Sequence, residues 1–465
     1  MKSTYWAYIL PATILLAITL PHLDQGDFRT DTGRYAAVGL QAWRDPSLFW
    51  TPHLQPDVPY FNKPPLVFWI HGLVLHLCGV SLIAARLPSI LAALGCVLGT
   101  VAIVKRLMGR ATALATGIVL ALTYEFFRRT REISLDMWQL CLMLATLWIV
   151  MESWRRRTLE VWVAGIPLGL ALLCKPLMAF LVVPYLILVM GRTGRRRHLA
   201  GLVIVALLVA APWHISMWYL HGAGFTSSYF GHEVVNRVMG HINRAPFWYY
   251  FFEIGRTYWP WMIPALAGAW LLVRGRCSQR GKTGLTLVGA WLALWFLALT
   301  LFPDKRPRYE LPLYPALAVF AGAALARLPW KGLHRLHRGR APLVMAGLIA
   351  AAGILAAVLP LRVHAPPDPH LNALMEWVRS AGAEPIYSAA LSTNDEGLFF
   401  LKTGHWPRSI PRNDGPTVAA LPEGVRLVYS AEIPRRPGAN EDTIFTSGPI
   451  TVTRLGKGGW QPNLE

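Results

Sequence analysis

The sequence predicts an all-α polytopic membrane protein that carries a small α/β domain at its C-terminal end. Apolar residues make up 54% of the chain and charged residues only 15%, a balance typical of proteins with several bilayer-spanning segments. Apolar stretches recur throughout residues 1–361. The alternation that marks strands begins only after residue 361.

Eleven apolar segments are predicted to cross the bilayer. Several hold only about 15 residues, fewer than the ~20 that a straight span needs, so flanking residues must contribute. The first segment is predicted to be a retained anchor, because Pro21 and His22 follow it instead of a small-residue cleavage site. The segments are residues 5–21, 87–104, 111–127, 137–151, 161–174, 176–190, 199–220, 258–273, 284–302, 310–327 and 341–361.

Residues 64–80 are apolar enough to span but contain His71 and His76. If they lie at the membrane surface, the loops on one side hold 18 Lys and Arg in 43 residues, against 15 in 119 on the other side. The positive-inside rule then places the N-terminus in the cytoplasm and loop 22–86 outside. We therefore predict a bacterial inner-membrane protein with juxtamembrane helices in this first outer loop, one of them at 64–80.

The formal charge of +20 belongs to the membrane part, because residues 362–465 hold 10 Lys and Arg against 11 Asp and Glu. Basic residues come in short clusters between apolar segments and not as one stripe, which argues against nucleic-acid binding. The five cysteines lie in or beside apolar segments and show neither a disulfide framework nor a metal-ligand spacing.

Two domains are predicted, a transmembrane domain at 1–361 and a soluble domain at 362–465. Alternating residues near Arg426 and Ile450 indicate strands, and the spacing from Leu371 to Val378 indicates a helix. With eleven spans and a cytoplasmic N-terminus, the C-terminal domain is periplasmic.

Two ionisable residues occupy unusual positions. Asp136 directly precedes the apolar run that starts at Met137, and Lys175 lies inside Leu173-Cys174-Lys175-Pro176. Single basic residues at span ends ordinarily reach to the interface, but charges at membrane depth are costly unless they are paired or functional. We therefore predict that both residues are functional.

The mixture of cations and carboxylates on the outer side suits an anionic phosphate together with a reacting centre that needs a base. A polyprenyl-phosphate sugar fits this description, because its lipid lies in the membrane, its phosphate meets Lys and Arg at the interface, and its sugar reaches the aqueous side.

Seven motifs in order resemble the C-type (GT-C) superfamily of membrane glycosyltransferases, in the branch of the lipid A aminoarabinose transferases and the protein O-mannosyltransferases. The motifs are Asp31-Thr-Gly-Arg34-Tyr35, Tyr60-Phe-Asn-Lys63-Pro-Pro65, Arg86-Leu-Pro-Ser89, Arg131 to Asp136, Leu173-Cys-Lys175-Pro176, the stretch with His232 and Arg237, and Lys305 to Pro315.

The resemblance implies sugar transfer from a polyprenyl-phosphate donor to an acceptor on the outer face, with two catalytic carboxylates. It assigns Asp31 as the base or acceptor-orienting carboxylate, and Asp136 as a group that positions the donor. The residues assigned to the donor phosphate are Lys63, Lys305, Tyr309 and Arg131. The residues assigned to the cavity are Arg34, Tyr60, Lys175, His232 and Arg237.

The chain departs from the family pattern at Thr32 and Asn62, where relatives carry carboxylates. The resemblance places His232 near a divalent metal in some relatives. A divalent metal held by His232 therefore stays an open alternative, and no other cofactor is assigned.

Several alternatives stay open at this stage. The acceptor is lipid A or lipopolysaccharide, another envelope glycan, or a protein hydroxyl, and the sugar, a hexose or a pentose, is not identified. A transporter or flippase of lipid-linked sugars is a different class, although the polar residues collect on one face and not at the bilayer midplane. A membrane scaffold is a third class, which would leave Asp136 and Lys175 unexplained.

Overall fold

The computed structural model describes residues 5–21, 23–28, 31–55, 58–156, 161–191, 198–236, 239, 243–276, 278–327, 368–381, 386–388, 391–409, 425–430, 435–436, 441–455 and 461–462. Its helices are α1 (Trp6–Thr19), α2 (Asp31–Arg44), α3 (Leu66–Cys78), α4 (Leu82–Met108), α5 (Arg110–Ala121), α6 (Tyr124–Arg128), α7 (Leu135–Arg156), α8 (Gly165–Leu172), α9 (Pro176–Ala179), α10 (Val182–Gly191), α11 (Leu199–Thr226), α12 (Tyr249–Thr257), α13 (Met262–Val273), α14 (Gln279–Leu301), α15 (Leu313–Leu325), α16 (Pro369–Ala381) and α17 (Thr393–Thr403). A π-helix, Ser227–Val235, follows α11. The prediction of a mainly helical chain is confirmed.

The strands are β1 (His53–Gln55), β2 (Val58–Pro59), β3 (Ile386–Ser388), β4 (Arg408–Ser409), β5 (Arg426–Ser430), β6 (Arg435–Arg436), β7 (Glu441–Ser447), β8 (Ile450–Leu455) and β9 (Gln461–Pro462). Five of them form a sheet in the order β4-β3-β5-β8-β7. β3 runs parallel to both of its neighbours, whereas β5, β8 and β7 are antiparallel.

Residue contacts divide the chain into two units. The first unit comprises Met1–Leu23, Phe61–Val67 and Arg86–Val363, and the second comprises Asp24–Tyr60, Phe68–Ala85 and His364–Glu465. The second unit therefore joins most of the predicted first outer loop to the C-terminal residues. The domain boundaries predicted from the sequence, 1–361 and 362–465, stay a prediction.

Four described helices are long and apolar enough to cross a membrane, judged by length and composition: Leu82–Met108, Leu135–Ser153, Leu199–Gly231 and Gln279–Leu301. Shorter apolar helices overlap the other predicted segments up to residue 327. Segment 341–361 lies outside the described residues, so the count of eleven spans stays a prediction. Helix α3 has 13 residues and is about 20 Å long, short of a hydrocarbon core of about 30 Å.

The long helix α11 exposes large apolar side chains that a soluble protein would bury. Leu208 is 67% exposed and Tyr219 is 82% exposed. Contiguous apolar surface of this kind marks a membrane-facing or protein-facing region. Together with the lengths of the helices, it supports a chain whose first unit lies in lipid.

Glycines bring helices of the first unit into backbone contact. A Cβ on Gly165 would lie 2.3 Å from the Leu202 carbonyl oxygen, and one on Gly169 would lie 2.6 Å from that of Ala206. Glycines spaced four apart allow this close approach of membrane helices. The contact fixes α8 against α11 and thereby positions Lys175, which follows α8.

A second close contact joins α13 to α15, where a Cβ on Gly268 would lie 1.9 Å from the Phe320 carbonyl oxygen. We expect Gly268→Ala to lower the midpoint of thermal unfolding in detergent by several degrees, because the backbones must separate. Gly289→Ala is the matched control, because its new Cβ would lie 3.6 Å from the Phe320 ring, an ordinary contact distance. Alanine is also more favourable than glycine inside a helix, by about 1 kcal/mol. Equal midpoints for the two variants would refute this account of the packing.

Candidate active site

Lys175 lies between α8 and α9, at a break that Pro176 produces, because proline at the first helical position cannot continue the preceding hydrogen-bond ladder. Its Nζ donates a hydrogen bond of 2.8 Å to Oδ1 of Asp136, near the start of α7. The two side chains are only 13% and 11% exposed. One helical turn after Asp136, the Gln139 amide donates to the Lys175 carbonyl oxygen. Helix α7 therefore holds both the ammonium group and the backbone of Lys175.

The Asp136 carboxylate also faces a second cation. Nε of Arg308 lies 4.0 Å from its Oδ2 atom. The ion pairs with Lys175 and Arg308 thus join α7, the α8–α9 break and the chain segment before α15. A buried carboxylate between two cations is stabilised in its ionised form.

Tyr309 forms the next wall of the site. Nζ of Lys175 lies 4.0 Å from the centre of its ring, a cation–π distance. The Tyr309 hydroxyl donates to Oδ2 of Asp304 over 3.3 Å, and Asp304 is 1% exposed. The Lys175 ammonium therefore contacts both a carboxylate and an aromatic face.

These groups border a cleft within the first unit. Lys63 and Lys175 bring two ammonium groups to the lining, and Tyr309 brings a hydroxyl. Nζ of Lys63 donates to the Asn62 carbonyl oxygen, and Oδ1 of Asn62 accepts a hydrogen bond from Ser228 of the π-helix. The lining residues are Asn62, Lys63, Pro64, Lys175, Pro176, Leu177, Met178, Tyr229, Phe302, Asp304 and Tyr309.

Two predicted phosphate-binding residues contact backbone carbonyls in this structure. Lys305 donates to the carbonyl oxygens of Leu299, Thr300 and Phe302, at 2.8, 3.0 and 2.7 Å, and so caps the C-terminal end of α14. Burial lowers the pKa of Lys305.

Arg131 plays the same part at α1, where its Nη2 atom donates to the carbonyl oxygens of Ile18 and Pro21 at 2.9 Å. It is 3% exposed. Both residues satisfy carbonyl groups at a helix end, which carries partial negative charge. Their predicted role at the donor phosphate stays a prediction.

Asp31, Arg34 and Tyr60 belong to the second unit. Asp31 begins α2 and forms an ion pair with Arg34 one turn later. The Arg34 guanidinium lies 5.7 Å from the centre of the Tyr60 ring, and Tyr60 is 5% exposed. These three predicted site residues therefore form one local cluster.

The side chain of His232 and the whole of Arg237 lie outside the described residues. Within the described part of the chain, no three His, Cys, Asp or Glu side chains are grouped in a way that could hold a metal ion. Asn62, at one of the two positions where relatives carry a carboxylate, accepts a hydrogen bond from Ser228. The described residues thus do not fit a metal site.

The chain is similar to known proteins in sequence and in fold. Residues 62–218 match the family model described as dolichyl-phosphate-mannose-protein mannosyltransferase. The chain is 30% identical over 364 residues to an undecaprenyl phosphate-alpha-4-amino-4-deoxy-L-arabinose arabinosyl transferase of Pseudomonas fluorescens, with 73% of this chain and 62% of that relative covered. The relative of the same name in Erwinia tasmaniensis is 26% identical, with 93% and 77% covered. The crystal structure of ArnT from Cupriavidus metallidurans bound to undecaprenyl phosphate covers 97% of both chains, with a TM-score of 0.73 at 18% identity.

In sequence the chain is thus similar to the aminoarabinose transferases, and in residues 62–218 it is similar to the mannosyltransferase family. The match spans less than two thirds of the length of the Pseudomonas fluorescens relative. The likeness to ArnT shows that the chain has the ArnT fold.

Sequence reasoning missed Asp304 and Tyr229, which line the cleft, and Gln139, which donates to the Lys175 carbonyl oxygen. Asp304 directly precedes the predicted Lys305, so its place beside a motif was a signal that could have found it. Tyr229 forms a 2.9 Å hydrogen bond with Nε2 of His214, whose Nδ1 atom contacts the Ala210 carbonyl oxygen at 2.9 Å. Since a carbonyl only accepts, Nδ1 carries the proton and Tyr229 donates to Nε2.

Glu310, which follows Tyr309, is fully buried. Its Oε2 atom accepts hydrogen bonds from Thr257 at 3.1 Å and from Tyr314 at 2.6 Å. Thr257 ends α12 and Tyr314 belongs to α15, so these bonds join the two helices through Glu310.

Proposed function

We propose that this protein is a GT-C glycosyltransferase, which transfers a sugar from a polyprenyl-phosphate donor of the undecaprenyl-phosphate kind to an acceptor at the periplasmic face of the bacterial inner membrane. The acceptor is lipid A or a related envelope glycan, and the sugar is a pentose of the aminoarabinose kind. The observation that carries the proposal is the cleft in which Lys63, Lys175 and Tyr309 meet. The names of the relatives from Pseudomonas fluorescens and Erwinia tasmaniensis support the choice of donor and sugar.

In the proposed reaction, an acceptor oxygen forms a bond to the anomeric carbon of the sugar. The bond from that carbon to the lipid phosphate oxygen breaks, and the electron pair leaves with the phosphate. Lys63 and Lys175 offset the negative charge that develops on the departing phosphate. The Tyr309 hydroxyl, which donates to Asp304 in this structure, exchanges this partner and donates to the phosphate. Asp136 holds the Lys175 ammonium in place, which fits its assignment as a donor-positioning group.

The resemblance implies that Asp31 acts on the acceptor. For a hydroxyl acceptor, Asp31 takes the proton as a general base. For a phosphate acceptor, which is already anionic, it only orients the group. Arg34 and Tyr60, which contact each other beside Asp31, are proposed to hold this carboxylate in its conformation. His232 and Arg237 remain proposed cavity residues, and Lys305 and Arg131 remain proposed contacts of the donor phosphate.

Protein O-mannosyltransferase-like transfer to a protein hydroxyl is a second candidate, which the family model matched by residues 62–218 favours. An assay with both kinds of lipid-linked donor and both kinds of acceptor separates the two candidate functions. The products are identified by mass spectrometry. A transporter of lipid-linked sugar would move the donor across vesicles without making any product.

We expect Lys175→Met to reduce sugar transfer by about 100-fold or more, because one of two cations at the departing phosphate is lost. The assay is transfer from undecaprenyl-phosphate aminoarabinose to lipid A in detergent, followed by mass spectrometry. Lys282→Met, at an exposed position of α14, is the control and is expected to keep full activity. A Lys175→Met variant as active as Lys282→Met would remove the main support for the cleft as donor site.

Asp31→Asn tests the acceptor side. We expect it to abolish transfer to a hydroxyl acceptor while the protein still inserts into membranes and unfolds at the wild-type temperature, because the amide cannot take a proton. Transfer to a phosphate acceptor is expected to fall less. Full activity with a hydroxyl acceptor would overturn the assignment of the base.

A further inference from the structure

Helix α17, in the C-terminal part of the second unit, packs directly on the first turn of α2. A Cβ on Gly397 would lie 2.8 Å from both N and Cα of Arg34 and 2.9 Å from the carbonyl carbon of Gly33. The atoms that such a group would meet all belong to the backbone, which cannot swing aside as a side chain can. Only glycine therefore fits here without moving one of the two helices.

Helix α17 is well suited to act as a fixed support. Ser392 and Asp395 form a reciprocal capping box at its start, and Gly404 ends it in the left-handed conformation, with φ of +81°. Leu398 and Phe399 are fully or almost fully buried along the helix. The helix contacts α16 of the C-terminal part as well as α2.

Two polar contacts attach α17 to the chain on either side of α2. Before α2, Nζ of Lys402 donates to Oδ2 of Asp27 at 3.0 Å and to Asn372 of α16 at 2.7 Å. After α2, Nε2 of Gln55 donates to Oε2 of Glu396 at 3.3 Å. The Asp27 side chain is 4% exposed, and a buried carboxylate that loses its partner is costly.

The three contacts reach residue 27, residues 33–34 and residue 55, and so fix the segment before, at and after the turn that carries Asp31 and Arg34. We propose that α17 is a positioning element for the candidate catalytic carboxylate, with Gly397 as its positioning residue. This inference rests on the proposed function, in which Asp31 acts on the acceptor. The C-terminal residues then contribute to catalysis without touching substrate.

A contact that merely stabilises the fold would affect stability and all kinetic constants together. A positioning contact affects the step that needs Asp31 in place, because a misplacement of about 1 Å costs about 100-fold in rate. The donor meets the lysines of the first unit in the proposed reaction, so its KM is expected to stay the same. A lower kcat with an unchanged KM for donor is therefore the result that identifies a positioning contact.

The test uses the full chain in detergent, with Gly397→Ala compared to Gly289→Ala. We expect Gly397→Ala to lower kcat by 10- to 100-fold, with the KM for donor within about two-fold of wild type. We also expect faster hydrogen exchange of the backbone amides in residues 31–44, measured by mass spectrometry. Gly289→Ala should leave all three quantities unchanged. Unchanged kcat and unchanged exchange in Gly397→Ala would overturn the inference.

A second pair of variants covers the case in which Gly397→Ala fails to fold. Lys402→Met leaves Asp27 buried without its lysine and is expected to lower kcat and to loosen residues 31–44. The double variant Asp27→Asn, Lys402→Met removes both charges and should recover most of the loss, since a neutral pair costs less than a lone buried charge. Wild-type kcat and exchange in Lys402→Met would count against the inference.

The exchange measurement needs no substrate, so the two proposals fail separately. If the wild-type protein makes no product from any lipid-linked donor, the proposed function is wrong. If exchange in residues 31–44 stays the same in Gly397→Ala and in Lys402→Met, α17 does not hold the turn, whatever the enzyme does.

Discussion

The ion pair between Lys175 and Asp136 is the interaction on which the candidate site depends. It lies at the start of a helix that is long and apolar enough to cross a membrane, where an unpaired charge is expensive. The pair joins α7 to the break between α8 and α9, and the contact of Lys175 with Tyr309 extends it to the segment before α15. Moving any one of these segments would separate charges that have few other ways to be satisfied.

Some of the basic residues in the family motifs serve the architecture in this structure. The Lys305 ammonium and the Arg131 guanidinium donate to carbonyl oxygens at the ends of α14 and α1. A helix C-terminus and a phosphate both attract a cation, because both present oxygens with negative charge. A contact of the Lys305 ammonium with a donor phosphate would require it to exchange one of its three carbonyl partners.

Sequence reasoning found the residues that carry charge into apolar surroundings, because that cost is visible in the sequence itself. Asp136 and Lys175 were both singled out in this way, whereas their pairing across 39 positions is a property of the fold. Asp304 was missed because an acidic residue after a span has an ordinary interpretation as a solvated loop residue. The direction of the Lys305 and Arg131 side chains could not be predicted, because no sequence pattern indicates which side chain donates to the carbonyl groups at a helix end.

Gly397 marks the limit of sequence reasoning more clearly. Within α17 it resembles any glycine that weakens a helix, and its meaning lies in the backbone of Arg34, which is 363 positions earlier in the chain. The same holds for Asp27, whose partner Lys402 lies 375 positions away. Long-range contacts of this kind decide which residues form the second unit, and no local pattern encodes them.

The departure from the family at Asn62 changes the electrostatics of the cleft in a definite direction. A carboxylate at this position would offset the positive charge of the neighbouring Lys63, whereas the amide is neutral and its oxygen accepts from Ser228. The neutral amide leaves one negative charge fewer beside Lys63, whereas Lys175 forms an ion pair with Asp136. This difference favours an anionic phosphate, because a further carboxylate beside the two lysines would weaken their attraction for phosphate. The missing acid is thus consistent with a site that holds the donor phosphate directly through lysine side chains.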